Sequence, residues 1–385
     1  MTPTPTDHVR VLGHDGQLVA VPLREAPEFQ RPSAPLQSRL VYAAAHVVPR
    51  AWSDTAPGAP ADIDWETTLR FRRHLYSWGL GVAEAMDTAQ RNMGLDAVAT
   101  RELIARSAQE ARRLGGSIVA GVNTDHLQSD TVSLTEVIDA YLEQLHFTEQ
   151  AGAGVVLMAS RHLARAAQSP DDYVEVYRRV IEEATTPIIL HWLGEAFDPT
   201  LAGYFGDEDT VLRIIEDAGD RVAGIKMSLL DAEAEIRVRN RLPHAARMFT
   251  GDDYNYVRLI EGDSTSHSDA LLGAFAAIGP HASAAIQALD AENINDYRDI
   301  LAPTEALARH IFAAPTYHYK TGIAFMSWLN GHQDSFTMVG GLHSARSLAH
   351  LSEIVRLANA CGALEYPALA AERWSDLVRL NGVAA

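Results

Sequence analysis

The chain has 385 residues, 47% of them hydrophobic, and its 32 Lys and Arg against 50 Asp and Glu give a formal net charge of −18. This length and apolar share allow a large buried core, and α/β barrels with extensions commonly reach such a size. The excess of negative charge argues against binding to a phosphate backbone, which requires a cationic face. We therefore predict no nucleic-acid partner.

Compartment signals are few. Cys361 is the only cysteine, which excludes an internal disulfide framework and a thiolate zinc cluster. The Thr/Pro-rich start, residues 1–8, has neither a cationic beginning nor an apolar centre and so predicts no secretory signal. No apolar run reaches the roughly 18 to 20 residues that a membrane span requires. We expect a cytoplasmic protein with no membrane partner.

In chain order, residues 1–37 form a Pro-rich lead-in, in which residues 9–21 predict a hairpin around His14-Asp15-Gly16. Short apolar runs then alternate with segments of helical periodicity. The predicted strands are residues 40–48, 79–83, 117–122, 154–158, 187–190, 222–225, 248–250 and 271–278. The predicted helices between them are residues 64–78, 99–113, 134–150, 171–184, 207–218 and 232–241.

Consecutive strand–helix units indicate parallel strands, because a parallel pair needs a long crossover. Eight such units predict an α/β fold, a closed (β/α)8 TIM barrel over residues 38–290. A doubly wound open sheet is the alternative. Residues 291–385 predict a C-terminal helical extension, with helices at 291–312 and 344–360 joined by a Gly-, aromatic- and His-rich segment at 316–341.

A single lysine, Lys226, stands where the buried run Val222 to Ile225 is expected to end. A poorly hydrated lysine favours its neutral amine, and a neutral amine attacks carbonyls to form a Schiff base. The ordinary alternative is a lysine that extends to the surface or pairs with an acid such as Asp252.

Ionisable and polar side chains recur at the other predicted strand ends, where the active site of a (β/α)8 barrel lies. Any one of them has a structural explanation, but together they favour an enzyme over a binding module. These residues are His46, Glu84, Asp87, Asn123, Asp125, His126, Ser160, Arg161, His162, His191, Asp252 and Asp253.

The segment Gly224-Ile225-Lys226-Met227-Ser228, followed by Thr250-Gly251-Asp252-Asp253, resembles the lysine strand and the next strand of the dihydrodipicolinate synthase / N-acetylneuraminate lyase superfamily. More narrowly, the chain resembles an uncharacterised actinobacterial branch of it, a domain of unknown function. Residues 149–154 are similar to the Ala-Gly-Ala turn of that family. The resemblance covers residues 38–365. It implies a TIM barrel, a catalytic Schiff-base lysine at Lys226, and a homo-oligomer, either a dimer or a tetramer.

The chain departs from this family at two loops. The second-strand Gly-Thr-Thr-Gly-Glu loop, which holds a substrate carboxylate, is replaced by residues 81–87 with Glu84 and Asp87. The fifth-strand Tyr-Asn-x-Pro is replaced by His191-Trp192-Leu193-Gly194. Two acids suit hydroxyl groups, as in a sugar, better than a carboxylate, and a histidine can transfer the protons that the tyrosine transfers.

The preferred hypothesis is therefore a class I aldolase or lyase of carbohydrate metabolism. It would act on a small keto-acid or keto-sugar without a cofactor or metal. Lys226 would form the Schiff base and His191 would act as general acid and base. The expected substrate-binding residues are His46, Glu84, Asp87, Asn123 and Asp252.

Two alternatives stay open. In a divalent-metal sugar isomerase, epimerase or lyase, the ligands would come from Glu84, Asp125, His126, His191 and Asp252. In the other, the barrel binds a ligand without catalysing a reaction.

Overall fold

The computed structural model describes residues 7–13 and 16–383. Two strands form an antiparallel hairpin and eight parallel strands close into a barrel in the order β10-β3-β4-β5-β6-β7-β8-β9. The strands are β1 His8–Leu12, β2 Leu18–Pro22, β3 Val41–Ala44, β4 Gly81–Glu84, β5 Ile118–Val122, β6 Gly154–Leu157, β7 Ile188–Leu193, β8 Val222–Ser228, β9 Arg247–Thr250 and β10 Asp269–Leu272. The predicted (β/α)8 fold is confirmed.

Helices cover the outside of the barrel and continue into the extension. They are α1 Trp65–Ser77, α2 Ala97–Leu114, α3 Leu134–Ala151, α4 Arg161–Ala166, α5 Pro170–Glu183, α6 Glu208–Ala218, α7 Ala232–Arg239, α8 Tyr256–Glu261, α9 Gly279–Asp290, α10 Ile294–Leu301, α11 Glu305–Ile311, α12 Tyr319–Leu329, α13 Leu348–Cys361 and α14 Pro367–Leu380. No helix in the described ranges is long and apolar enough to cross a membrane.

Local sequence fixes the ends of these helices. Ser133 and Glu136 form a reciprocal capping box at the start of α3, and Gly152 ends that helix in the left-handed conformation. Asp64 caps α1 by accepting from the Thr67 amide. Such caps fix where each helix begins after its strand-end loop, whether the loop is long, as between β3 and α1, or short, as between β8 and α7.

The C-terminal extension closes over that carboxyl rim. Every residue of α12 is buried, and its Tyr319 hydroxyl lies 2.7 Å from Thr88 Oγ1 in the loop after β4. Gln90 of the same loop donates to the Val339 carbonyl over 2.7 Å. The lead-in packs on the outside of the extension, where the Leu12 amide donates to Ser352 Oγ over 2.7 Å.

The structure also corrects several predicted boundaries. The predicted hairpin is confirmed, although its turn residues His14 and Asp15 lie outside the described residues. The first barrel strand ends at Ala44 rather than at residue 48, and the eighth spans Asp269–Leu272 rather than 271–278. Residues 291–312 form two helices, α10 and α11. The segment 316–341, predicted as a loop, contains α12.

Candidate active site

The barrel interior is filled by one residue from most of its strands, and strand alternation then places the candidate side chains. Ala44, Ala83, Val119, Val156, Ile189, Phe249 and Leu271 form this inner cluster. Because side chains alternate across a strand, the inward positions two residues further on include Gly121, Met158, His191 and Gly251. On β8, Ile225 and Met227 pack in the outer core, so Lys226 and Ser228 face inward.

Lys226 lies inside β8, directly beside His191 of β7 in the parallel register. The strand extends two residues beyond Lys226, rather than ending before it as predicted. A Cβ on Gly251, directly after β9, would stand only 2.7 Å from Lys226 Cε, so glycine at this position leaves room for the lysine stem. Lys226 is 7% exposed.

Burial lowers the pKa of Lys226, while the charges of Asp87 and Asp253 oppose that shift. Asp253 follows β9 and accepts from the Ala274 amide over 2.8 Å. Burial raises the pKa of the Asp253 carboxyl, although the Ala274 amide and the charge of Lys226 both lower it. Burial thus shifts the pKa values of both groups in the direction that favours their uncharged forms.

Asp252 does not serve as the acid partner of Lys226. Its carboxylate accepts from the amides of Tyr254 and Asn255 over 2.8 and 3.1 Å, and from Asn255 Nδ2 over 2.8 Å. It therefore fixes the turn into α8. Of these two adjacent acids, Asp253 is the one whose charge acts on Lys226.

His191 is fully buried, with Nε2 3.2 Å from Ser228 Oγ and no hydrogen-bond partner at Nδ1. Burial and the charge of Lys226 hold the pKa of His191 well below its usual value. The imidazole is therefore neutral near pH 7. Its Nδ1, which has no partner among the described residues, can donate or accept a hydrogen bond with a bound molecule.

His46 and Asn123 follow β3 and β5, with β4 between them in the barrel. His46 Nε2 lies 2.7 Å from Gln333 Oε1 of the extension, its ring lies 4.7 Å from the Phe71 ring of α1, and burial lowers the pKa of His46 to about 3. Asn123 Oδ1 accepts from the Thr124 amide over 2.7 Å. The roles of His46 and Asn123 toward a substrate stay predictions.

Glu84 is withdrawn from the rim, which corrects its predicted place in the substrate site. It faces outward from β4 and forms a two-pronged ion pair with Arg72 of α1, at 2.8 Å for both nitrogen–oxygen pairs. Both side chains are fully buried. Because Ala83 faces inward, strand alternation turns Glu84 away from the barrel axis.

The predicted metal-ligand set is not assembled. Asp125 is held by Arg91, whose Nε donates over 2.8 Å, and His126 Nδ1 lies 2.8 Å from Gln144 Nε2. Glu84 is bound to Arg72. Within the described ranges, the grouping of three potential ligands comes from His74, His332 and Glu365, none of which was in the predicted set.

Sequence reasoning missed Lys320 of α12. The chain contains only two lysines, Lys226 and Lys320, and both are buried. Burial lowers the pKa of Lys320 to about 8, and the charges of Asp87 and Asp198 oppose this shift. Lys320 Nζ lies 3.2 Å from Met93 Sδ. The sequence did contain a signal for Lys320: in a chain with thirty arginines and only two lysines, each lysine is a candidate for a specific role.

Asp87 connects the two lysines. It opens a short 3-10 helix after β4, is half-buried, and contributes to the electrostatic environment of both Lys226 and Lys320. Of the predicted substrate-binding residues, Asp87 is therefore the one that lies between the lysine strand and the extension.

Comparison with solved structures supports this fold. The dihydrodipicolinate synthase of Oceanobacillus iheyensis superposes with a TM-score of 0.64 at 16% identity, over 84% of this chain and 97% of that one. The enzyme of Bacteroides thetaiotaomicron gives 0.63 at 15% identity, over 83% and 97%. That of Aquifex aeolicus gives 0.61 at 12% identity, over 90% and 98%.

Comparison with sequences is more limited. No curated protein matches the chain. The sequence profile of one family, described as "Protein of unknown function (DUF993)", matches residues 9–383. The chain therefore belongs to this family, and it folds as a barrel of the dihydrodipicolinate synthase type.

Proposed function

We propose that this protein is a class I aldolase or lyase in which Lys226 forms a Schiff base with a small keto substrate. The observation that carries the proposal is the burial of Lys226 inside the barrel, beside a buried acid, with its pKa lowered. An uncharged amine at a barrel's carboxyl rim is what attack on a carbonyl carbon requires.

In the proposed first step, Lys226 Nζ attacks the carbonyl carbon and the carbonyl oxygen takes up a proton. That oxygen leaves as water after a second proton transfer, and an iminium remains. A base then takes the proton of the hydroxyl group on the β-carbon, and the bond between the α- and β-carbons breaks. The β-carbon leaves as a carbonyl compound, and the electron pair of the broken bond forms the double bond of an enamine. Protonation of the enamine and hydrolysis release the product and the lysine.

We assign the main proton transfers to Asp253 rather than to His191. A group that acts as general acid and base works best when its pKa is near the working pH. Burial raises the pKa of the Asp253 carboxyl toward that range. His191 has its pKa well below it and would stay neutral. In this scheme His191 holds Ser228 and offers its free nitrogen to the substrate as a hydrogen-bonding group.

Lys320 favours a substrate that carries an anionic group. Its pKa of about 8 leaves the ammonium largely charged near pH 7, and the sulfur of Met93 is a weak partner for it. Asp87 and Asp198 act on Lys320 through their charges, and a substrate carboxylate would add a direct hydrogen-bonded partner. This supports a keto-acid, with or without hydroxyl groups, over a neutral keto-sugar.

The direct test is borohydride trapping. The protein is incubated with a panel of keto-acids and keto-sugars, reduced, and weighed as an intact chain. We expect a stable mass gain that peptide mapping assigns to Lys226. The Lys226→Ala variant is expected to show no gain.

Lys320→Met is the matched variant, because it replaces the only other lysine side chain with an uncharged one of similar length. We expect its adduct to remain on Lys226, with weaker capture of keto-acids than of keto-sugars. An adduct that maps to Lys320, or an unchanged adduct in Lys226→Ala, would overturn the assignment. Ligand binding without any adduct would favour the non-catalytic barrel.

A further inference from the structure

A second cluster of side chains lies outside the barrel mouth, where helix α1 meets the C-terminal extension. His74 lies near the end of α1, His332 follows α12, and Glu365 precedes α14. One ligand atom from each of the three lies within 4.8 Å of the others. The cluster is independent of Lys226 and of the proposed reaction.

We propose that His74, His332 and Glu365 form a structural zinc site that joins the barrel to the C-terminal extension. Two imidazole nitrogens and one carboxylate oxygen are a donor set that Zn²⁺ accepts, with water or the second carboxylate oxygen as the fourth ligand. The chain's only cysteine, Cys361, is not required for it.

The distances within the cluster are close to those of a tetrahedral site. Glu365 Oε1 lies 2.7 Å from His332 Nε2 and 3.7 Å from His74 Nε2. With zinc–ligand bonds of about 2.0–2.1 Å, tetrahedral ligand atoms stand about 3.3 Å apart. Seating the ion would separate His332 Nε2 from Glu365 Oε1 and draw His74 Nε2 toward Glu365, so that the ion replaces the contact between His332 and Glu365.

The surroundings favour ligands that are ready to bind. The side chains of His74, His332 and Glu365 are only 14–22% exposed, so the three donors lie largely out of solvent. The Phe71 ring packs against both imidazoles, at centroid distances of 6.0 and 5.5 Å. The two imidazoles are themselves 4.1 Å apart, and this close packing holds them side by side.

Other charged groups reach the cluster from the lead-in and from α9. The positive charge of Arg31 opposes a cation here, and that of His281, were it protonated, would do the same. Burial lowers the pKa of His281 to about 4, so it is neutral near pH 7. Glu365 also lines a cavity of about 200 Å³ together with Phe29 and Trp78, which provides an approach for the ion.

The proposed ion has a structural consequence at the barrel rim. Gln333, the neighbour of His332, is the residue whose Oε1 contacts His46 at the end of the first barrel strand. Fixing His332 to α1 would hold Gln333 in place. The proposed zinc site would therefore link the position of the extension to the position of His46 at the rim.

The test is zinc binding by the full-length protein. After treatment with a chelator, the protein is dialysed against Zn²⁺ and analysed for metal. We expect about one Zn²⁺ per chain, a tetrahedral visible spectrum with Co²⁺, and a rise in Tm of about 3 °C at a hundredfold excess over Kd. Glu365→Gln and His332→Gln are expected to lose the metal and the Tm shift.

His350→Gln is the matched control. His350 belongs to another close histidine pair in the extension, with His310 at a ring distance of 4.2 Å, but that pair has no carboxylate. We expect this variant to bind zinc as the unmodified protein does. Absence of bound zinc in the unmodified protein, or equal zinc in a folded Glu365→Gln variant, would overturn the proposal. Trapping at Lys226 reports separately on the proposed reaction.

Discussion

At the scale of single residues, the two adjacent aspartates after β9 have different roles, one in the turn and one beside the lysine. The carboxylate oxygens of Asp252 accept hydrogen bonds from the backbone and side chain of the next turn, whereas the charge of Asp253 acts on Lys226. The two carboxyls differ by one position in the sequence. Their consequences for the lysine amine are therefore separable by substitution.

The first residue-scale prediction concerns pH. Because only the neutral amine attacks a carbonyl, the trapping rate should rise with pH and level off above the pKa of Lys226, at an inflection below the usual lysine value of 10.5. Asp253→Asn removes a charge that raises this pKa. We expect the inflection to move to lower pH and the plateau rate to fall.

Asp252→Asn serves as its control, since Asp252 does not contribute to the Lys226 shift. We expect the inflection of this variant to match that of the unmodified protein. The measurement is single-turnover adduct formation over a range of pH. Equal shifts in the two variants would assign the effect to general disturbance of the β9 loop, not to Asp253.

At the scale of elements, the lysine strand depends on how closely its neighbour approaches. Gly251 directly follows β9, and a Cβ there would overlap Ser228 Oγ and would stand 2.7 Å from Lys226 Cε and 2.8 Å from the Met227 carbonyl. All three atoms belong to β8, and the buried surroundings leave little room for adjustment. The reach of Lys226 into the barrel is therefore a property of two strands together.

Gly251→Ala should push the lysine stem aside. We expect a loss of stability of about 1–3 kcal/mol from overpacking and a fall in the trapping rate of about a hundredfold, because the amine no longer meets the carbonyl. Gly279→Ala is the matched change, since its new Cβ would have ordinary contacts, the nearest being Leu75 Cδ2 at 3.5 Å. Trapping at the normal rate in Gly251→Ala would refute this account.

At the scale of the whole molecule, the two ends of the chain meet on one side of the barrel. Trp374 of α14 is 1% exposed, and its Nε1 donates to the Arg10 carbonyl of β1 over 2.5 Å. Its ring also contacts Phe325 of α12 edge-on, at a centroid distance of 6.1 Å. One indole thus joins the lead-in hairpin to the helix that carries Lys320 toward the rim.

Trp374→Ala should loosen this junction. Removing a buried indole costs about 3–5 kcal/mol, and we expect the free energy of unfolding measured in urea to fall by that amount. Amides of β1 and β2 should exchange faster with deuterium. Trp52→Ala is the control, because Trp52 is 81% exposed and its loss should change stability by less than about 0.5 kcal/mol.

Much of the fold follows from the sequence. Alternation of short apolar runs with amphipathic segments predicted all eight barrel strands and six of the surrounding helices, because burial on both faces of a parallel strand leaves a continuous apolar run. Helix α12 was missed for a related reason. It is buried on every side, so it shows no amphipathic periodicity.

The site is a different matter. The sequence by itself predicted that Lys226 and His191 lie near one another at the carboxyl rim, since the carboxyl ends of barrel strands converge, and the two residues are partners in the register of β7 and β8. Only the tertiary structure shows that Glu84 pairs with Arg72. It also shows that Asp253, not Asp252, is the acid whose charge acts on Lys226. Finally, it brings Lys320 and Gln333 of the extension to the rim. The succession of strands and helices follows from the periodicity of neighbouring residues. Ion pairing and burial, in contrast, depend on residues that lie far apart in the chain and meet only after folding.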